Sequence, residues 1–231
     1  MADIRPRGFQ SIPPVIKNLI IANVLFWVAE ITFREPFINL LALHHYQNPD
    51  FRIWQLVTYM FMHSLAPFHI LMNMFVLWMF GSTLEDIWGS KRFLIFYLIC
   101  GLGAALVQMG VMAVSMNMLM DKFNSGAISL DEYKIRGGAV YYTTVVGASG
   151  AINGVMAGFA YIFPNTPLFL FPLPFPVKAK YVIIGYFLLD LFGGINPSSG
   201  DNVAHFAHVG GAIVGLILVI TMNKNNRRTF Y

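Results

Sequence analysis

Six apolar stretches divide the chain, and they limit its fold more than any other feature of the sequence. They run from about Val15 to Phe33, His69 to Trp88, Phe93 to Leu119, Ser149 to Phe163, Tyr181 to Phe192 and His205 to Met222. A helix needs about 20 largely apolar residues to cross a hydrocarbon core about 30 Å thick, and inside lipid every backbone polar group has to be satisfied internally. The expected fold is an all-α integral membrane protein, a bundle of six transmembrane helices. The fourth and fifth stretches are the shortest.

Composition agrees. The 231 residues are 57% hydrophobic and 11% charged, with a mean hydropathy of +0.62. A soluble domain carries about 25% charged residues, so this chain lacks the polar surface to coat a water-facing globule. Its formal charge of +4 comes from basic residues at the ends of apolar segments, which does not suggest a nucleic-acid partner. Cys100 is the only cysteine, which rules out an intrachain disulfide. The start, "MADIRPRGFQSIPP", lacks the apolar core and small-residue cleavage site of a signal peptide, so the first helix is expected to be retained. The predicted organisation is one membrane domain, residues 15–222, after a short N-terminal segment (1–14) and before a basic tail (223–231).

The connections differ in character. Between the first two helices lies "REPFINLLALHHYQNPDFRIWQLVTYMFMHSLAPF". It is too polar to span, and its aromatic residues suit the membrane interface, so a structured interfacial loop is expected. Residues 120–141 read as a polar loop, and "PNTPLFLFPLPFPVKAK" reads as a proline-broken link. In a six-span arrangement Arg5, Arg7, Lys17, Lys91, Arg92, Lys178, Lys180, Lys224, Arg227 and Arg228 fall on one side. Arg34, Arg52, Lys122, Lys134 and Arg136 fall on the other, ten against five. The positive-inside tendency puts the ten in the cytoplasm, with both termini inside a cytoplasmic membrane and the first loop outside.

Polar side chains inside spans are costly and default to functional roles. Here they cluster as His69 and Asn73 in span two, Ser149 and Asn153 in span four, and His205 and His208 in span six. In the topology above all three clusters lie at one depth, near the outer side, which points to one wet pocket opening outward. Gly150, Gly154 and Gly158 recur every fourth residue and form a smooth ridge on span four, and Gly211 and Gly215 offer a matching groove on span six. At about 100° per residue His208 lies roughly 60° from Gly211 and about 20° from Gly215. His208, rather than His205, therefore faces span four, within hydrogen-bond reach of Ser149: a nucleophile beside a base. Ser149 opens its helix, where unpaired backbone N–H groups and the helix dipole favour an oxyanion. His69 and Asn73, four apart on one face of span two, add side-chain donors. No carboxylate offers itself as a third member. Asp201 is nearest in sequence but lies in a loop, so the expectation is a Ser–His dyad.

These residues resemble the rhomboid intramembrane serine proteases. The resemblance is carried by "HILMN" (His69 to Asn73), "GSTLEDIWGS" (Gly81, Glu85, Gly89, Ser90), "GASG" (Gly147 to Gly150) and "AHVGGAIVG" (Ala207 to Gly215), and it covers about residues 15–222. The GxSG element occurs widely by itself; the four together on a six-span background are specific. The resemblance implies Ser149 as nucleophile, with Gly147 opening its motif, and His208 as general base. It implies an oxyanion hole of His69, Asn73 and the Ser149 backbone N–H, no cofactor or metal, and transmembrane protein substrates cut near their outer ends within the lipid bilayer. The chain departs from the family pattern at two places. The first loop has Trp54-Gln55 where Trp-Arg is usual, and Asn153 stands where a Tyr or Phe often stacks on the histidine.

Other readings compete. Ser149 alone is indistinguishable from a helix-packing serine. His205 and His208, with His69 as a third ligand, are a conceivable metal site, although no H-E-x-x-H motif is present; His205 is better read as a polar neighbour lining the pocket. A transporter or channel would spread polar groups over several depths and usually show a repeat. A non-proteolytic relative that binds transmembrane helices would be expected to lack Ser149 or His208. His44, His45 and His63 receive no chemistry, Glu85 reads as structural, and Glu30 and Asp190 stay unassigned.

Overall fold

A computed structural model describes residues 12–169, 174–196 and 204–224. Arg5, Arg7, Asp201, Arg227, Arg228, most of the N-terminal segment and of the basic tail, and the centre of the proline-broken link fall outside these. The described chain is a helical bundle. Helix α1 is Pro14–Phe33, and the first loop holds the short helices α2 (Glu35–Leu41) and α3 (Gln55–Thr58). A continuous helix over Pro67–Trp88 comprises α4 (Pro67–Val76), a π-helical turn at Leu77–Gly81 and α5 (Ser82–Trp88). Then come α6 (Ser90–Asn124), α7 (Leu130–Tyr142), α8 (Ser149–Ile162), α9 (Ala179–Ile195) and α10 (His205–Lys224). Strands β1 (Pro167–Leu168) and β2 (Val177–Lys178) form an antiparallel hairpin between α8 and α9.

Among the described residues, four helices are long and apolar enough to cross a membrane: Pro14–Phe33, Pro67–Trp88, Ser90–Asn124 and His205–Asn223. The other two predicted spans are shorter. Helix α8 has 14 residues and α9 has 17, about 21 Å and about 26 Å at 1.5 Å per residue. Helix α8 is nevertheless the inner helix of the bundle, with nine of its residues buried. Large apolar side chains are exposed around the outside instead, as at Leu25 (62%), Leu106 (54%), Leu189 (70%) and Ile217 (57%). The chain enters α8 through the non-helical segment 143–148, whose Val145, Gly147 and Ala148 are buried. Val145 exchanges backbone hydrogen bonds with Leu43 of the first loop, and the Gly147 N–H donates to the Tyr59 carbonyl. Its irregular backbone is thus bonded to and covered by protein.

The predicted polar loop 120–141 is corrected. Helix α6 continues to Asn124, and most of the remainder is α7, started by the Ser129 hydroxyl accepting from the Glu132 N–H at 3.1 Å. Polarity alone concealed that cap.

The G-x-x-x-E-x-x-x-G-S element is a structural clamp. Glu85 is buried and accepts the N–H groups of Val15 and Ile16, each at 2.9 Å, and the Ser90 hydroxyl at 2.6 Å. A carboxylate on the orphan donors of the first turn of α1 ties the first span to the second. A Cβ at Gly81 would lie 2.5 Å from the Ile16 side chain, and Gly89 has φ +78°, which favours glycine. Gln55, where the resemblance leads one to expect arginine, still anchors the first loop. Its amide donates to the carbonyls of Asn39 (3.1 Å) and Asp50 (2.9 Å), and its oxygen accepts from the His44 N–H at 3.4 Å.

Candidate active site

Helices α8 and α10 meet backbone to backbone. A Cβ at Gly211 would collide with the Gly150 carbonyl, and one at Gly215 would lie 2.5 Å from the Gly154 Cα. The predicted seam is therefore present, but its two sides are unequal. Gly211 and Gly215 turn their missing side chains onto α8. Gly150, Gly154 and Gly158 turn theirs toward Ala104, Cys100 and Phe96 of α6. The ridge on α8 thus admits α6, and the groove on α10 is what admits α8. Small residues on three helices draw them closer than Leu-sized side chains would allow.

This approach delivers His208. Its Nε2 lies 2.7 Å from Ser149 Oγ, and the ring is largely buried. Ser149 is the first residue of α8, ahead of its first helical hydrogen bond, Ile152 N–H to Ala148 carbonyl. Its own N–H belongs to the orphan donors of that helix end. The chain enters through Gly147 at φ +134°, a conformation that disfavours a side chain. A Cβ there would stand 3.2 Å from Ser149 Oγ and 3.5 Å from His69 Nε2. The serine oxygen and the His69 ring thus border one small space that Gly147 leaves open. His69 is oriented for donation into it: the Ser64 N–H points at His69 Nδ1 at 3.3 Å, so Nδ1 accepts and Nε2 carries the proton. Asn73 lies one turn further along the same helix, buried, with its amide nitrogen donating to the His69 carbonyl at 3.0 Å.

Asp190 is the residue sequence reasoning left unassigned. It sits on α9, 4% exposed, and its Oδ1 accepts from His208 Nδ1 at 3.0 Å and from His205 Nδ1 at 2.7 Å. This corrects the expectation that no carboxylate accompanies the pair. Its signal was present in the sequence: an ionisable group inside a span is costly enough to imply a partner. Asp190, His205 and His208 bring their ligand atoms within 4.8 Å of one another. His69 is not in that cluster, so the three-histidine grouping considered from the sequence does not form. Both Nδ1 atoms are at hydrogen-bond distance from one carboxylate oxygen, which is the geometry of two donors on an acceptor.

Asn153 finds its place in the same network. Its amide donates to the Ser149 carbonyl at 2.9 Å. The Tyr186 ring on α9 lies parallel to His208, 25° between planes and 6.5 Å between centroids. The aromatic face expected four residues after the serine comes here from another helix.

The family model for the Rhomboid domain matches residues 50–225. The chain belongs to the rhomboid family. It is 29% identical to Rhomboid protease AarA of Providencia stuartii over 218 residues, covering 88% of this chain and 70% of that protein. It is 25% identical to Rhomboid protease GlpG of Haemophilus influenzae, over 84% and 83% of the two chains. It is 27% identical to RHOMBOID-like protein 12, mitochondrial, of Arabidopsis thaliana, over 93% of this chain and 60% of that one. The apolar helices and the family together make this rhomboid a membrane protein of a family of intramembrane proteases.

Proposed function

We propose that this rhomboid is an intramembrane serine endopeptidase that cuts transmembrane-helix substrates near their outer ends. The 2.7 Å contact between Ser149 Oγ and His208 Nε2 carries the reading. His208 takes the serine proton as Oγ attacks the scissile carbonyl, and returns it to the leaving amine, giving an acyl-enzyme. Water activated by the same imidazole then releases the acid and restores Ser149. The oxyanion is held by the Ser149 N–H, His69 Nε2–H and the second N–H of the Asn73 amide. Donors of this kind are each worth roughly 100- to 1000-fold in rate. Catalysis on this scheme uses no metal or cofactor. The ten-to-five division of basic residues supports a cytoplasmic-membrane protein of six spans, both termini inside, with the site opening outward.

The test is purification in detergent and incubation with a transmembrane substrate whose helix carries small or helix-breaking residues. Wild type cuts it; Ser149→Ala and His208→Ala do not. Equal cleavage by Ser149→Ala would sink the proposal, as would loss of activity to a chelator. A wild type that binds such helices without cutting would make it a non-proteolytic relative.

A further inference from the structure

We infer that Asp190 is a positioning residue for this site, completing a Ser149–His208–Asp190 triad in which His205 holds the same carboxylate oxygen. The inference rests on the serine-protease reading. It goes beyond a two-residue mechanism, and its support is geometric.

For His208 to accept from Ser149, Nε2 must be unprotonated and Nδ1 must carry the hydrogen. An imidazole in a largely apolar bundle has no inherent preference for that tautomer; the group facing Nδ1 sets it. Asp190 Oδ1 faces it at 3.0 Å. An ionised carboxylate accepts only, so it fixes the proton on Nδ1 and leaves the Nε2 lone pair toward Oγ at 2.7 Å. As the serine proton moves to Nε2 the ring becomes a cation, and Asp190 is the negative charge beside it. The Nδ1 proton stays on the ring throughout; one O–H bond breaks and one N–H bond forms.

The fold is shaped to keep the carboxylate there. Asp190 is fully enclosed, and its second oxygen has no hydrogen-bond partner among the described residues. Its hydrogen bonds among the described residues are those to the two histidines through Oδ1. Helix α9 reaches α10 because Gly193 and Gly194 carry no side chains: a Cβ at Gly193 would stand 2.8 Å from the His205 ring, and one at Gly194 2.9 Å from Phe206. His205, at 2.7 Å, braces the oxygen against movement. A carboxylate whose only task was to solubilise α9 would face outward.

The groups around His208 that bear on its protonation are Asp190 and Tyr186 from α9, Ser149 from α8, His69 from the second span and His205 on its own helix. Asp190 is the only acid among these described residues. Replacing it removes a counter-charge from beside the imidazolium, so the acid limb of the pH–rate profile moves to lower pH.

The experiment measures kcat and KM against pH for wild type, Asp190→Asn and Ser149→Ala, with thermal melting as a check of folding. The expected result is a kcat lowered at least about 100-fold in Asp190→Asn, a KM changed by less than about threefold, and a displaced acid limb. A wild-type kcat, or an unmoved limb in a variant that melts lower, would reduce Asp190 to packing and overturn the inference alone. If Ser149→Ala cleaves as wild type does, the protease reading itself fails. Should Asp190→Asn not fold, Asp190→Glu keeps the charge: its kcat falls but its acid limb coincides with that of wild type. A limb displaced despite the carboxylate overturns the inference.

Discussion

His63 lies in the first loop, fully buried, with neither ring nitrogen hydrogen-bonded among the described residues. Its backbone N–H donates to Glu30 on α1 at 3.0 Å, and its ring meets His69 edge-on at 5.2 Å between centroids. Burial, and to a lesser degree the neighbouring His69, pushes its pKa from 6.5 down to about 4. In the unfolded chain the ring takes a proton near pH 6.5; in the fold it resists until about pH 4. The stability that comes from keeping it neutral is present above pH 6.5 and is lost as the pH falls between these values, up to about 3 kcal/mol at 1.36 kcal/mol per unit. Melting in detergent from pH 7.5 to 4.5 should show wild type losing stability on acidification, and His63→Phe losing markedly less. Identical slopes would clear His63 of the effect. This residue shows what a sequence conveys and what it does not. A histidine beside a predicted span is visible, but its burial is set by α1 through Glu30, which no spacing rule connects to it. Asp190 is the same case. It precedes His208 by 18 residues, on a different helix, so only the cost of charge in a span marked it.

At the level of the helices, spacing was more informative than identity. Glycines every fourth residue announced a tight contact, and the seam between α8 and α10 is there. Which helix each row faces was not legible, because Gly150, Gly154 and Gly158 suit α6 and α10 equally until three dimensions decide. The bounds of α8 were legible, Ser149–Ile162 against an expected stretch of Ser149–Phe163, whereas the pairing of Val145 with Leu43 of the first loop was not. The seam makes a prediction that separates proximity from mere helix quality. Gly211→Ala puts a methyl into the Gly150 carbonyl, so α10 must retreat and carry His208 away from Ser149. A displacement near 1 Å costs on the order of 100-fold in rate, and the melting temperature should fall by several degrees. Gly110→Ala, in α6, meets nothing within 4 Å. Alanine is the better helix former by about 1 kcal/mol, so activity should hold and stability hold or rise. Equal effects from the two would mean that the α8–α10 approach does not position the base.

For the molecule as a whole, the proposed orientation is the property with the most at stake, because an inverted bundle would open its site to the wrong compartment. Helix length alone does not decide the number of crossings: α8 and α9 fall short of the roughly 20 residues of a full span. The asymmetry of basic residues is independent of length. Two long apolar helices, Pro67–Trp88 and Ser90–Asn124, separate the first loop from residues 120–141 and return the chain to the same side, and if α8 crosses, the β1–β2 hairpin lies opposite. The structure already joins the first loop to residues 120–141, since the Tyr141 hydroxyl donates to the Gln47 carbonyl at 3.0 Å and Asn48 donates to the Tyr141 carbonyl at 3.1 Å. Single cysteines report on this cleanly, because the native Cys100 is completely buried. Ser125 and Lys178 are both exposed, one between α6 and α7 and the other in the hairpin. In spheroplasts an impermeant maleimide should label Ser125→Cys at once and Lys178→Cys only after the membrane is opened. The reverse pattern would overturn the orientation. Labelling of both from outside would show that α8 does not separate the two sides, and the six-span count would fall with it.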